Sequence, residues 1–173
     1  MSSIEKQTSE AHVALDSQDG PFYEDLEVGQ KINHQDGRTI TETDNIWFSL
    51  LSCNNNPVHT NQDYTQKNFA KAPFEGRMVV NSLLVLSVVI GLSVKDTSKN
   101  GIMLEIQSCK LTNPTFAGDT LYSRSEVISK RESKTHPNMG IISVKTIGYN
   151  QKNIQVLELQ RAFMIRKNGK TWQ

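Results

Sequence analysis

Residues 78–94, MVVNSLLVLSVVIGLSV, are the longest apolar stretch of the chain, and their reading decides the fold. Asn81, Ser82, Ser87, Gly91 and Ser93 interrupt the run, which is short and polar for a bilayer span. Its β-branched residues are awkward in a helix. A strand of this length without alternation is less in keeping with strand patterning. Length therefore assigns residues 82–94 to a buried central helix.

The stretch leading into that helix, Cys53 to Ser82, reads CNNNPVHTNQDYTQKNFAKAPFEGRMVVNS. It holds a polar Asn/His loop, a segment 61–70 suited to a short helix with Tyr64 and Phe69 inward, and a Gly-Arg turn after Pro73. Upstream, Thr41 stands three residues before Asp44, a capping-box-like pair. Ile46, Trp47, Leu50 and Leu51 follow at helical spacing, which predicts a helix from about Glu42 to Ser52. Pro57 keeps that helix from continuing. Residues 21–32, PFYEDLEVGQKI, read as a turn and a short strand around Val28-Gly29, and Arg38 to Thr41 as a second extended piece.

The second half has a different pattern. GIMLEIQSCKLTN (101–113), LYSRSEVISK (121–130), GIISVKTIGYN (140–150) and IQVLELQRAFMIR (154–166) read as strands. Turn residues join them: Pro114 with Gly118-Asp119, His136-Pro137-Asn138, and Asn150. Helices followed by four strands define an α+β class, with an antiparallel sheet packed on helices.

With 173 residues the chain suits one domain. We expect a flexible N-terminal tail over 1–19, a folded domain over 20–168 and a C-terminal tail over 169–173. Lys and Arg number 19 against 18 Asp and Glu, so charge advertises neither nucleic acid nor an anionic membrane as a partner. The two cysteines, Cys53 and Cys109, lack metal-ligand spacing and are too few for a disulfide scaffold. They read as reduced thiols of a cytoplasmic protein. His12, His34 and His136 lie in polar surroundings without ligand spacing, so no metal is expected. His59, a few residues after an amide side chain and ahead of a helix start, is a plausible proton-transfer group beside an anion site.

Three separated motifs carry a resemblance. Asn54, Asn56, Pro57 and His59 fit N-x-N-P-x-H. Gly76-Arg77-x-Val79-Val80-Asn81-Ser82 follows, and then Pro114-x-Phe116-x-Gly118-Asp119-Thr120-Leu121. Together, over about residues 22–166, they resemble the MaoC-like enoyl-CoA hydratases. The resemblance implies a single hot-dog fold, a long central helix wrapped by a bent antiparallel β-sheet, assembled as at least a homodimer. It implies reversible addition of water to a 2-enoyl-CoA thioester, with CoA as part of the substrate and no cofactor. His59 would be the general acid/base. Ser82, where the family often has Gly, would give its backbone N–H to the thioester oxygen as the enolate develops.

The chain departs from the family at Asn54, where most members have Asp, and at Asn61, where many have a second Asp. An amide cannot take a proton at neutral pH, so Asn54 would orient the water and His59 would carry the proton transfers. The run Asp36 to Asn45 (DGRTITETDN), the V-N-S turn and Lys130 to Lys134 resemble one branch in particular, the mesaconyl-CoA and itaconyl-CoA hydratases (methylmalyl-CoA dehydratases), which also carry Asn at that position. That branch implies a branched C5 dicarboxylyl-CoA and a cation for its free carboxylate, with Arg77 and Arg38 as candidates and Asn56 as a further substrate contact. Two other functions fit a hot-dog chain: an acyl-CoA thioesterase, which would need a carboxylate such as Asp63 or Glu75, and a non-catalytic acyl-CoA-binding subunit.

Overall fold

The computed structural model describes residues 20–172, and four long strands with one long helix carry most of it. Short strands β1 (Lys31–Asn33) and β2 (Arg38–Thr39) precede helix α1 (Glu42–Leu51). Helix α2 (Gln62–Asn68) and the central helix α3 (Ser82–Thr97) come next, then β3 (Gly101–Leu111), β4 (Thr120–Glu132), β5 (Met139–Asn150) and β6 (Gln155–Arg166). The strands form one antiparallel sheet in the order β1-β4-β5-β6-β3, with β2 also paired to β4. Helix α3 lies against β4, β5 and β6. The expected tail over 1–19 falls outside the described residues.

Alternation along the strands builds the core. Leu121 of β4 and Leu157 and Leu159 of β6 meet Leu84, Val85 and Val89 of α3. A second cluster joins Val127, Ile142, Val144, Phe163 and Ile165 to Leu26 and Ile32. Gly148 sets how closely helix and sheet approach, since a Cβ there would stand 2.5 Å from Val89 Cγ2.

The strands over 101–166 form where expected, and α1 ends within one residue of its expected limit. Thr41 caps α1 reciprocally with Asp44, as its spacing predicts. Three expectations are corrected. Val28-Gly29 is a turn, with Gly29 at φ +86°, and the strand lies after it. Helix α3 runs on to Thr97 instead of stopping at Val94. On α1, Trp47, Leu50 and Leu51 are 62, 68 and 78 % exposed, while the buried positions are Asn45 and Ser49. Its fully buried positions meet polar groups of other segments, while Phe48, half-buried, packs against the apolar core.

Why α3 continues is visible on β6. Arg161 is 1 % exposed and has no carboxylate partner among the described residues. It donates to Ser93 Oγ and Thr97 Oγ1 at 3.0 Å each. Those hydroxyls give their protons to helix carbonyls, Ser93 to Ile90 O and Thr97 to Ser93 O, so their lone pairs are free for the guanidinium. A cation beside the helix C-terminus also meets the negative end of its dipole. Burial pushes Arg161 down to about 10, which leaves it charged at neutral pH.

His34 keeps the polar surroundings its sequence suggests, but it is buried, at 4 % exposure. Its Nδ1 meets Asp96 Oδ2 at 2.7 Å and its Nε2 meets Ser125 Oγ at 2.9 Å, with Thr146 Oγ1 a further 2.8 Å on. Desolvation, the largest influence, lowers its pKa; Asp96 opposes the shift and Arg161 adds to it. A lowered folded-state value means the unfolded chain binds the proton more tightly. The stability His34 contributes is therefore complete above its ordinary value of 6.5 and is lost as pH falls through the folded-state value. Thermal melts across mildly acidic pH are expected to show a falling midpoint, and the fall should flatten in His34→Gln.

Candidate functional site

Asn81 sets the geometry of the site. It caps α3, its side-chain oxygen accepting Leu83 N–H at 3.0 Å, and its carbonyl accepts the N–H groups of Leu84 and Val85. The N–H of Ser82, first residue of the helix, is left without a partner among the described residues. Ser82 lines a cavity of about 310 Å³ with Val79, Val85, Phe74, Leu111 and Thr115. No charged side chain lines it.

His59 closes a one-turn helix, Pro57–His59, that Asn56 caps by accepting Val58 N–H. The residue is 8 % exposed. Its Nδ1 lies 2.9 Å from the carbonyl oxygen of Val79, which can only accept, so the neutral ring carries its proton on Nδ1. Nε2 is then a free lone pair, with no partner among the described residues. His59 is not among the residues lining the cavity, but Val79, whose carbonyl holds its imidazole, is.

The connection runs through Asn45 of α1, which the sequence offered only as the last letter of a motif. Asn45 is 2 % exposed. Its Nδ2 donates to His59 O at 2.9 Å and to Val79 O at 3.2 Å, and its Oδ1 accepts Asn81 N–H at 2.8 Å. One amide thus joins the histidine loop, the carbonyl that fixes its tautomer and the cap of α3. Ser49, one turn on, receives Asn81 Nδ2 at 3.3 Å and gives its carbonyl to Asn54 N–H. The missed signal was a pair of small polar residues at i and i+4, Asn45 and Ser49, enclosing the apolar Ile46, Trp47 and Phe48.

The other expected site residues are placed less centrally. Asn54 Oδ1 accepts Asn56 N–H at 3.1 Å, and its NH₂ group stays available to donate to a water. Asn61 caps α2 through Tyr64 N–H. The Arg77 guanidinium lies 3.7 Å over the Phe116 ring and reaches Glu75 and the Phe74 carbonyl at 3.4 Å. Gly76 takes φ +73° in that turn and gives its carbonyl to Gln62 and Thr65. Arg38 is paired to Asp44 at 2.8 Å in the first turn of α1. No contact ties it to His59 or Ser82. Among the described residues no cluster of three or more His, Cys, Asp or Glu is arranged to hold a metal.

The MaoC like domain matches residues 24–149. The beta-methylmalyl-CoA dehydratase of Chloroflexus aurantiacus is 34 % identical, over 86 % of this chain and 41 % of its own length. The mesaconyl-CoA hydratase of Cereibacter sphaeroides is 29 % identical, over 71 % of this chain and 33 % of its own. The chain thus spans about two fifths or less of these relatives. A Mycobacterium tuberculosis protein described as having a double hot-dog fold superposes with a TM-score of 0.76 at 21 % identity, over 89 % of this chain and 46 % of that one. One helix laid in one antiparallel sheet, matching the family over most of the length, makes this chain a member of the MaoC-like domain family with a single hot-dog fold.

Proposed function

We propose that the chain is a hydro-lyase adding or removing water across the double bond of a 2-enoyl-CoA thioester. The observation that carries this reading is the pairing of an Nδ1-protonated His59 with an unpartnered Ser82 N–H, linked through Asn45 and Asn81. Asn54 NH₂ donates to a water oxygen and His59 Nε2 takes the water proton as the oxygen attacks C3. The electron pair moves to the thioester oxygen, where Ser82 N–H at the helix N-terminus meets it. The imidazolium then returns the proton to C2. Throughout, Nδ1–H stays on Val79 O, which supports the cationic ring in place of the carboxylate replaced by Asn54.

Kinship with the dehydratase and hydratase named above favours a branched C5 dicarboxylyl-CoA of the mesaconyl or itaconyl type. Arg77, 3.7 Å over the Phe116 ring and only 3.4 Å from Glu75, is the cation we assign to the free carboxylate; Arg38 is held more tightly, at 2.8 Å from Asp44. A thioesterase is disfavoured because its candidate carboxylates are on the surface, Asp63 paired with Lys67 and Glu75 with Arg77.

We also propose that a second copy pairs along β3. That strand is an edge, exposed from Ile102 to Leu111, and it presents Ile102, Met103, Leu104, Ile106 and Leu111 at 42–53 % exposure. Such an edge invites another strand. The cavity reaches Leu111 at its end, so this pairing also walls the site.

Loss of enoyl-thioester absorbance over mesaconyl-, itaconyl- and crotonyl-CoA tests the reaction. Mesaconyl- or itaconyl-CoA is expected to turn over best, and equal turnover of crotonyl-CoA would remove the dicarboxylate assignment. His59→Ala should lower kcat/KM by about 10²- to 10⁴-fold; a variant as active as the parent would refute the role. Asn45→Ala should lower kcat up to ~10²-fold with KM little changed, and nitrogen NMR of His59 should no longer report a single Nδ1–H tautomer. Ile106→Lys is expected to shift the chain from dimer to monomer in light scattering, with activity lost alongside.

A further inference from the structure

Phe74 stands in the walls of two cavities, that of Ser82 and a second of about 430 Å³ formed by the loop between α2 and α3. The first has no charged lining residue. The second has two, Lys67 and Lys71, set among Phe69, Ala72 and Pro73. Backbone bonds hold this loop in shape. Gly76 N–H donates to Phe69 O at 2.8 Å, and Glu75 N–H to Lys71 O at 3.0 Å. Gly76 O accepts from Gln62 Nε2 at 2.6 Å and from Thr65 Oγ1 at 2.8 Å, which ties the loop back to α2.

Segment 61–77 carries two carboxylates, and each already has a cation. Asp63 pairs with Lys67 at 2.7 Å and Glu75 with Arg77 at 3.4 Å. Lys71 is left without a carboxylate partner among the described residues. An ammonium with no carboxylate beside it attracts an anion, and phosphate suits such a compact charge. A CoA thioester divides as the two cavities do. Its thioester and pantetheine arm are uncharged, while its nucleotide end carries a diphosphate and a ribose phosphate. A loop already fixed by its own bonds also loses little freedom when a ligand arrives.

We propose that the cavity of the α2–α3 loop binds the nucleotide phosphates of the CoA ester, with Lys71 as the principal cation and Lys67, shared with Asp63, as the second. The inference rests on the reading of the Ser82 cavity as the thioester site. Phe74, common to both walls, then lies beside the pantetheine arm as it passes from one cavity to the other. The consequence is a preference for CoA esters over the same acyl group on a carrier that lacks a nucleotide.

The test is Lys71→Ala in the full chain, with Lys71→Arg keeping the charge and Lys71→Glu reversing it. Calorimetric affinity for free CoA is measured beside initial rates on mesaconyl-CoA and on the N-acetylcysteamine ester of the same acid, which has no nucleotide. The alanine variant should bind CoA about 5- to 10-fold more weakly at low ionic strength, as for one lost charge contact. The difference should shrink as salt rises. Its ratio of kcat/KM between the CoA ester and the short ester should fall by a similar factor. The glutamate variant should lose more, and the arginine variant should stay within about twofold of the parent. An alanine variant that binds CoA as the parent does, or that loses equally on both esters, overturns the assignment. Weaker CoA binding in a chain that hydrates neither ester would support Lys71 while refuting the hydratase reading. A parent that does not bind CoA overturns both.

Discussion

Three hydrogen bonds from one buried amide hold the functional end of this molecule together. Asn45 bridges the His59 carbonyl, the Val79 carbonyl and the Asn81 amide. Each is a backbone group that neither helix nor sheet would otherwise satisfy, and a buried backbone group left unpaired is costly. The same contacts that satisfy these groups set the site geometry. They orient the carbonyl that holds the imidazole, and they position the cap of the helix whose first amide is left open.

The central helix meets two different environments along its length. Its first half packs Leu84, Val85 and Val89 on the sheet, seated closely over Gly148. Its second half presents Ser93, Thr97 and Ser98 to a buried arginine, with Asp96 and His34 beside them. Apolar packing supplies most of the attachment energy, while the polar end fixes the depth and rotation of the helix, because hydroxyl and guanidinium bonds tolerate little displacement. Ionisable groups are thus concentrated away from the cavity, and the cavity wall is uncharged.

Much of the architecture was legible from residue order. The capping pair Thr41 and Asp44, the break at Pro57, and the alternating strands each rest on contacts within a few residues or on a single face. The reading of α1 went astray at its buried face, since Trp47, Leu50 and Leu51 give the stronger apolar signal and yet point outward. Periodicity locates a stripe but cannot say what lies opposite it. Opposite Asn45 lie backbone carbonyls and an amide from segments 14 to 36 residues away, and opposite Ser49 the side chain of Asn81. Arg161 and His34 escaped notice for the same reason: charged or titratable letters in a strand or turn read as surface until their partners are known.

The order of residues alone determined the class of fold, the location of the histidine loop ahead of a capped helix, and the family to which the chain belongs, because these depend on local propensity and on motifs short enough to be read in line. Only the tertiary structure decided which nitrogen of His59 is free, that Asn54 Oδ1 is engaged by Asn56 N–H, that Ser82 and not His59 lines the cavity, and that the buried Thr115 hydroxyl has no partner among the described residues. Each of these follows from which donors and acceptors distant segments bring into contact, and hydrogen-bonding capacity is assigned pair by pair in space.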